Sequence, residues 1–477
     1  MSFALGTDGW RGVIADGCTF EAVRSVAASM ARLYAGGAWP GDTGRVVIGH
    51  DTRFFSPELA RAAAEIFARA GIDVLLTDRP IPTPAVSWHV QRLGLAAGAA
   101  VTASHNPGHW NGFKIKASFG GSAPPEQYQA VARGAGQPPL EAARPGRIAS
   151  TDLATPYRDH LASLVDTRAI RGAGLTVVAD AMHGAAGTFV ADIAGGGATR
   201  VVSLREGRDV LFGGVQPEPI ASNLAAAADA VAAEHADLAV ANDGDADRLG
   251  VCDRHGRFVS PHRVLGLLLL HAFRRRGLSG GIAKTFSTSL LIDRVAGALG
   301  ARLVETPIGF KYIADLMTRG EAVAGGEESG GYAFAFHLPE RDGVLNALLL
   351  LESLARSGED LSEALGGLSR EFGELAYDRR DVYLPVPVIE EFLAEVRAHP
   401  PASLSGGPVT AVADKDGIKY VLGSRGWLLH RLSGTEPMIR LYCEHEDEAA
   451  VLRILDEAHA RLVAFAADRG ATPGQQA

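Results

Sequence analysis

Val46-Val47-Ile48-Gly49, then Ser56-Pro57-Glu58-Leu59-Ala60-Arg61-Ala62-Ala63-Ala64-Glu65-Ile66, then Gly71-Ile72-Asp73-Val74-Leu75-Leu76, is the stretch that decides the fold. The first run is too short for a buried helix and is β-branched, so it reads as a buried strand. The second run repeats its apolar residues at helical spacing. Ser56 is placed to cap that helix, Pro57 suits its first position, and Gly71 stops it. A second apolar strand follows at once. Strand, helix and strand in that order predict a parallel pair joined by a crossover, the unit of an α/β domain.

The same pattern recurs downstream. Leu175-Thr176-Val177-Val178 is followed by Gly184 and Gly187, and Leu238-Ala239-Val240 repeats the strand signal. Arg302-Leu303-Val304 precedes an expected helix from Gly309 to Met317. Three α/β segments are expected, related in pattern without a residue-level repeat. The Gly/Pro/Ala-rich run from Gly134 to Gly146 reads as a loop, and Phe258 to Arg263, with Ser260-Pro261 as a helix start, as the opening of the third segment. From about Tyr377 the pattern changes. Short strands at Gly417–Val421 and Trp427–His430 precede one long helix from Asp447 to Phe465, which predicts a smaller α+β domain. The expected units are 1–153, 154–257, 258–374 and 375–469, with a disordered tail at 470–477.

Bulk composition excludes more than it assigns. A chain of 477 residues is too long for one core, and 47% apolar with 21% charged residues is ordinary for a globular protein. The longest apolar run, Val264 to Phe273, contains His271 and ends in Arg274-Arg275-Arg276, so it reads as a buried helix and not a bilayer span. No secretory pattern is visible in Met1-Ser2-Phe3-Ala4-Leu5, and the scattered Cys18, Cys252 and Cys443 suit core positions in a reducing compartment. The expected location is cytoplasmic. A net charge of −9 argues against nucleic acid as a partner.

Chemistry is carried by loops. Thr102-Ala103-Ser104-His105-Asn106-Pro107 follows Ala99-Ala100-Val101, which places Ser104 at a strand's C-terminal end, where α/β sheets bind ligands. Asn106-Pro107 forces a turn whose N–H groups could cradle an anion, although a serine here could equally just cap a helix. Asp243-Gly244-Asp245-Ala246-Asp247-Arg248 sets carboxylates at alternate positions, a hard-cation pattern. A calcium EF-hand needs Gly at the sixth place and Glu at the twelfth, which here are Arg248 and Arg254, and a helix in front where a strand is expected. A merely solvated acidic turn fits poorly between two apolar runs. Gly325-Gly326-Glu327-Glu328-Ser329-Gly330-Gly331 offers acceptors suited to vicinal hydroxyls, a weak signal when taken singly. Arg431-Leu432-Ser433-Gly434-Thr435-Glu436-Pro437-Met438-Ile439-Arg440 joins guanidiniums, hydroxyls and turn N–H groups in a form suited to a phosphate dianion, or to an ordinary exposed turn. Smaller pieces are Gly6-Thr7-Asp8-Gly9-Trp10-Arg11-Gly12 and Thr306-Pro307-Ile308-Gly309-Phe310-Lys311.

In this order the loops resemble the α-D-phosphohexomutase superfamily of phosphoglucomutases and phosphomannomutases, from Gly6 to about Tyr442. The resemblance implies three related α/β domains with mixed sheets and a smaller α+β domain around one cleft. It implies that Ser104 carries a transferable phosphoryl group. Asp243, Asp245 and Asp247 would hold one Mg²⁺ together with a phosphoserine oxygen. Glu327 and Ser329 would bind sugar hydroxyls, and Arg431, Ser433, Gly434, Thr435 and Arg440 the non-reacting phosphate. Arg11, His105, Lys114, Arg248 and Lys311 match cleft residues near the reacting groups, with Lys311 as the candidate for proton transfer. A hexose 1,6-bisphosphate would be intermediate and activator, hexose phosphates the partners, and the assembly a monomer or homodimer. Two positions depart from relatives: Met438 where many have Lys, and Gly331 where the dual-specificity branch often has His. The Glu-Glu-Ser-Gly-Gly form looks closer to the phosphoglucomutase-like bacterial branch, which favours glucose and leaves mannose open. Phosphoglucosamine mutase is the alternative within the superfamily. A non-catalytic descendant should have lost a motif, and none is lost.

Overall fold

The computed structural model describes residues 5–6, 9–434, 436–472 and 474. The opening strand–helix–strand unit forms as read: strands Arg45–His50 and Asp73–Thr77 pair in parallel around helix Ser56–Arg69. One detail differs. Ser56 is the first helical residue and not its cap, since Phe55 takes the capping place at φ +62° and the Ser56 hydroxyl donates to Asp51 Oδ1 at 2.6 Å. Gly71 does end the unit, at φ +84°, a left-handed turn that glycine adopts without steric cost.

The first sheet runs, across its face, Leu5–Gly6, Gly9–Val13, Trp110–Ala117, Ala97–Val101, Arg45–His50, Asp73–Thr77 and Ile148–Thr151. It is mixed, because Trp110–Ala117 returns antiparallel beside Ala97–Val101 while the strands from Ala97 onward are parallel. The second sheet orders Arg200–Leu204, Thr176–Asp180, Leu238–Asn242, Leu249–Asp253 and Phe258–Val259. Phe258 and Val259 therefore belong by hydrogen bonding to the second sheet, and we place that boundary after Val259 instead of before Phe258. The third sheet orders Leu303–Thr306, Ile282–Thr285, Ala324–Gly326 and Tyr332–Phe334. The apolar run from Val264 is the buried helix Pro261–Leu270, prolonged by a wider turn over His271–Arg275.

The C-terminal unit is an antiparallel sheet, Ala376–Tyr383, Met438–His445, Gly426–Leu432, Ile418–Val421 and Ala411–Ala413, covered by helices Val386–Ala398 and Glu448–Ala467. It docks on the third unit through Phe286, Trp427, Leu429 and Tyr442. Charged groups frame that contact. Glu444 accepts from Ser289 Oγ at 3.0 Å, and Lys419 Nζ reaches Glu305 Oε2 at 3.1 Å. In the tail expected to be disordered, Gly474 N–H donates to Tyr383 O at 3.0 Å; Pro473 and 475–477 lie outside the described residues. Cys18, Cys252 and Cys443 are free and buried, and burial pushes the Cys252 thiol up to about 11. Among the described residues no helix is long and apolar enough to cross a membrane.

Candidate active site

Ser104 lies in the loop after strand Ala97–Val101, fully buried and at φ +52°. A left-handed serine is unusual and must be held by its surroundings. The holder is Arg53, a fully buried guanidinium that donates to Ser104 O (2.5 Å), Asn106 O (2.7 Å), Pro107 O (2.8 Å) and Trp110 O (3.1 Å). Asp51 orients Arg53 through Nε at 3.0 Å and accepts from Thr102 Oγ1 at 2.6 Å. The expected backbone anion cradle is only partly available, because Ser104 N–H donates to Thr102 Oγ1 and Asn106 N–H to Ala103 O. The Ser104 hydroxyl instead faces side chains: Oγ donates to Asp243 Oδ2 at 2.9 Å and lies 3.5 Å from His105 Nδ1.

The aspartate loop follows strand Leu238–Asn242. Alternation alone does not aim its carboxylates; Ala246, at φ +60°, turns the backbone so that they converge. Ligand oxygens of Asp243, Asp245 and Asp247 lie within 4.8 Å of one another, all fully buried. Asp243 Oδ1 accepts from the backbone N–H groups of Asp247 (2.9 Å) and Arg248 (3.1 Å), which fixes the turn. Burial, then the carboxylates of Asp247 and Asp245, hold the Asp243 carboxyl well above its usual range. Asp247 Oδ1 accepts no hydrogen bond among the described residues. An all-oxygen donor set of this kind fits a hard divalent cation such as Mg²⁺.

Cations converge on the same point. Lys114, buried on strand Trp110–Ala117, donates from Nζ to Asp245 Oδ2 at 2.8 Å and Asp247 Oδ2 at 3.2 Å. Arg248 is held by Glu218 Oε1 at 3.0 Å, and Arg11 donates to Asn106 Oδ1 at 2.7 Å. Burial first, then Arg248, Arg11, Lys114 and Arg53, push the His105 imidazole well below its ordinary range, so it is neutral near pH 7. The Gly325–Gly331 loop joins this cluster through a residue the motifs did not reveal. Arg341 donates to Glu327 Oε2 at 3.1 Å and to Asp247 Oδ2 at 2.7 Å.

Other expected residues stand apart from the Ser104–aspartate cluster. Ser329 is half-buried in its turn, and Lys311 Nζ lies over the Tyr312 ring at 5.1 Å from the centroid; neither is hydrogen-bonded to Ser104. In the C-terminal unit Arg431 and Arg440 are direct cross-strand partners. Like charges so opposed repel unless an anion lies between or beside them. Asp416 binds Arg431 Nε at 3.1 Å, while Arg440 is only loosely paired, at 4.0 Å to Asp381 and 3.7 Å to Glu436. Ser433 N–H donates to Met438 O at 2.9 Å, closing the turn around exposed Gly434. Met438 is buried and supplies no charge at that place. Thr435 lies outside the described residues.

Asp51, Arg53, Thr83, Glu218 and Arg341 escaped the sequence reading. Asp51-Thr52-Arg53 directly follows a buried strand, a placement that could have flagged it. Thr83, whose hydroxyl donates to Asp245 Oδ2 at 2.5 Å, and Arg341 carry no local signal.

Four family models match the chain: phosphoglucomutase/phosphomannomutase alpha/beta/alpha domains I, II and III at residues 3–137, 155–256 and 260–372, and the C-terminal domain at 388–460. A phosphoglucomutase/phosphomannomutase from Thermococcus kodakarensis is 31% identical over 86% of this chain and 88% of its own. A phosphoglucosamine mutase from Paraburkholderia xenovorans is 32% identical over 93% of this chain and 95% of its own. The crystal structure of a Thermus thermophilus protein assigned as a phosphomannomutase superposes with a TM-score of 0.84 at 36% identity, covering 96% of this chain and 99% of that one. Serine, aspartate cluster and converging cations thus stand in a chain matched along nearly its whole length, and the protein belongs to the phosphoglucomutase/phosphomannomutase family, phosphotransferase mutases of the α-D-phosphohexomutase superfamily.

Proposed function

We propose that this mutase interconverts hexose 1-phosphate and hexose 6-phosphate, with glucose as the preferred sugar, through a phosphoserine at Ser104 and a hexose 1,6-bisphosphate. The observation that carries the reading is the Ser104 hydroxyl, 2.9 Å from Asp243 Oδ2 and 3.5 Å from His105, whose imidazole feels the charges of Arg248, Arg11, Lys114 and Arg53. With its hydroxyl free, the serine receives phosphate in the second half-reaction.

In the first half-reaction the Oγ–phosphorus bond breaks as phosphorus bonds a sugar hydroxyl oxygen, and that hydroxyl loses its proton. Such transfers need positioning and charge neutralisation more than covalent help. Lys114, Arg248 and Arg11 are the cations available to stabilise the equatorial oxygens. Asp243, Asp245 and Asp247 would hold Mg²⁺, which when bound polarises the phosphoryl oxygens. Glu327 would accept from the sugar hydroxyls. Lys311 is our candidate for moving the hydroxyl proton. Arg431 and Arg440 would grip the phosphate that is not reacting, in both orientations of the bisphosphate. Docking of the C-terminal unit on the third would limit water at the cleft.

The second reading is phosphoglucosamine mutase, favoured by relatives of that name at similar identity. The Gly-Glu-Glu-Ser-Gly sugar loop supports the neutral hexose. Parallel assays with glucose 1-phosphate, mannose 1-phosphate and glucosamine 1-phosphate separate the readings; a kcat/KM highest for the amino sugar overturns the glucose assignment. Intact mass should show one labile phosphate that is absent in Ser104→Ala, and full turnover by Ser104→Ala would remove the serine from the mechanism.

A further inference from the structure

Glu340-Arg341-Asp342-Gly343 touches three units within four residues. Glu340 accepts from Lys116 Nζ of the first unit at 2.7 Å, Gly343 N–H donates to Ala246 O in the aspartate loop at 3.0 Å, and Asp342 accepts from His337 at 3.0 Å. Arg341 sits at the centre, 7% exposed, with its guanidinium 5.5 Å from the Phe310 ring centroid. One arm of its fork holds Glu327 in the sugar loop and the other holds Asp247 in the metal loop.

We infer that Arg341 is a positioning and specificity-determining residue that sets sugar affinity and metal affinity in opposite directions. The inference rests on the proposed roles of Glu327 and the aspartates. Three features support it. A planar guanidinium holds two carboxylates in a fixed relative geometry, which a flexible ammonium does not impose. At 2.7 Å from Asp247 Oδ2, its charge competes with a metal ion for that carboxylate. Its stem passes through space that only glycine leaves open: a Cβ on Gly331 would lie 2.2 Å from Arg341 Cδ and 3.0 Å from Cγ. Gly331 and Arg341 are therefore one unit, the absent side chain at 331 admitting the arginine that fixes Glu327 for the sugar hydroxyls.

The test uses the full chain stripped of metal, with Mg²⁺ binding followed by calorimetry and KM for glucose 1-phosphate measured at saturating Mg²⁺. Arg341→Met should bind Mg²⁺ about fivefold or more tightly, because a competing cation is gone, while KM rises about tenfold and kcat changes less. Gly331→Ala leaves net charge unchanged and should raise KM in the same way by displacing the arginine. Arg341→Lys keeps a charge without the fork, so Mg²⁺ affinity should stay near wild type while KM still rises. A residue that merely packs the fold would weaken both sites together. That result in Arg341→Lys or Arg341→Met, or wild-type values at both sites, overturns the inference. Failure of wild type to bind Mg²⁺, or an unchanged KM in Glu327→Gln, overturns the underlying site reading instead.

Discussion

Replacing Arg53 with Met tests whether the Ser104 loop is held by one buried guanidinium. The substitution keeps much of the side-chain volume and removes the fork. Four carbonyls, of Ser104, Asn106, Pro107 and Trp110, lose a charged donor, and the fully buried Asp51 carboxylate loses its ion partner. Breaking a buried pair from one side costs about 3–5 kcal/mol, since it strands a charge. Asp51 keeps donors from Ser56 Oγ, Thr102 Oγ1 and the Arg53 N–H, which moderates the stranding. Pro107 O keeps the Trp110 N–H, but the other carbonyls act the other way, because a buried acceptor left unsatisfied costs about 1–3 kcal/mol. We expect a loss of about 5 kcal/mol, a large part of the 5–15 kcal/mol typical of a domain. A chain of several units does not melt in two states, so the readout is native-state hydrogen exchange in strand Ala97–Val101. Phosphate incorporation at Ser104 is measured alongside and should fall at least as steeply, because Arg53 holds the Ser104 carbonyl that fixes the serine at φ +52°. The double variant Asp51→Asn/Arg53→Met should recover part of the lost protection. A fall in protection under about 1 kcal/mol for Arg53→Met refutes the reasoning.

Asp245→Asn removes one anionic ligand and one partner of Lys114, and should raise the Mg²⁺ concentration needed for half-maximal activity about tenfold or more; normal activity of metal-stripped enzyme would remove the metal from the mechanism. On the proposed role of Arg440, Arg440→Ala would remove a charge-assisted phosphate contact worth about 2–4 kcal/mol, so kcat/KM should fall and glucose 1,6-bisphosphate should appear in solution during turnover. An unchanged KM with no released bisphosphate would reassign the loop as structural. Burial lowers the Lys419 ammonium to about 8 from its ordinary 10.5, against the opposing pull of Glu305. Between those values the unfolded chain binds the proton more tightly than the folded one, so stability rises with pH there and the cost of the buried charge is full below pH 8. Lys419→Met should therefore gain most over wild type below pH 8 and lose that advantage toward pH 10.5, read by paired denaturation curves; a gain that grows with pH contradicts the assignment.

Local periodicity was enough to show the α/β class, because a strand buried on both faces is a continuous apolar run and the crossover helix between two such strands is amphipathic. Val46–Ile48 and Leu238–Ala241 carry that pattern openly, and the loops after the first three sheets' strands carry Ser104, the aspartates and Glu327 in plain text. Phe258–Val259 was misplaced because an edge strand of two residues has no period to read, and its partner is fixed only by antiparallel pairing with Leu249–Asp253. The cap at Ser56 was misread because its hydroxyl had a stronger acceptor in Asp51, five residues earlier.

What the sequence determined by itself was the set of loops and the chemistry of each: a hydroxyl, three carboxylates, two guanidiniums. What only the tertiary structure decided was which charges neutralise which. Lys114 meets Asp245 across 131 positions, Thr83 meets the same carboxylate across 162, and Arg341 meets Asp247 across 94. The physical reason is that electrostatic energy depends on distance in space and on burial, neither of which is encoded within a window of neighbouring residues. A lone Arg341 in a Pro-Glu-Arg-Asp-Gly loop is an ordinary surface residue to a reader of sequence; folding against Gly331 makes it the bridge between the Glu327 and Asp247 loops.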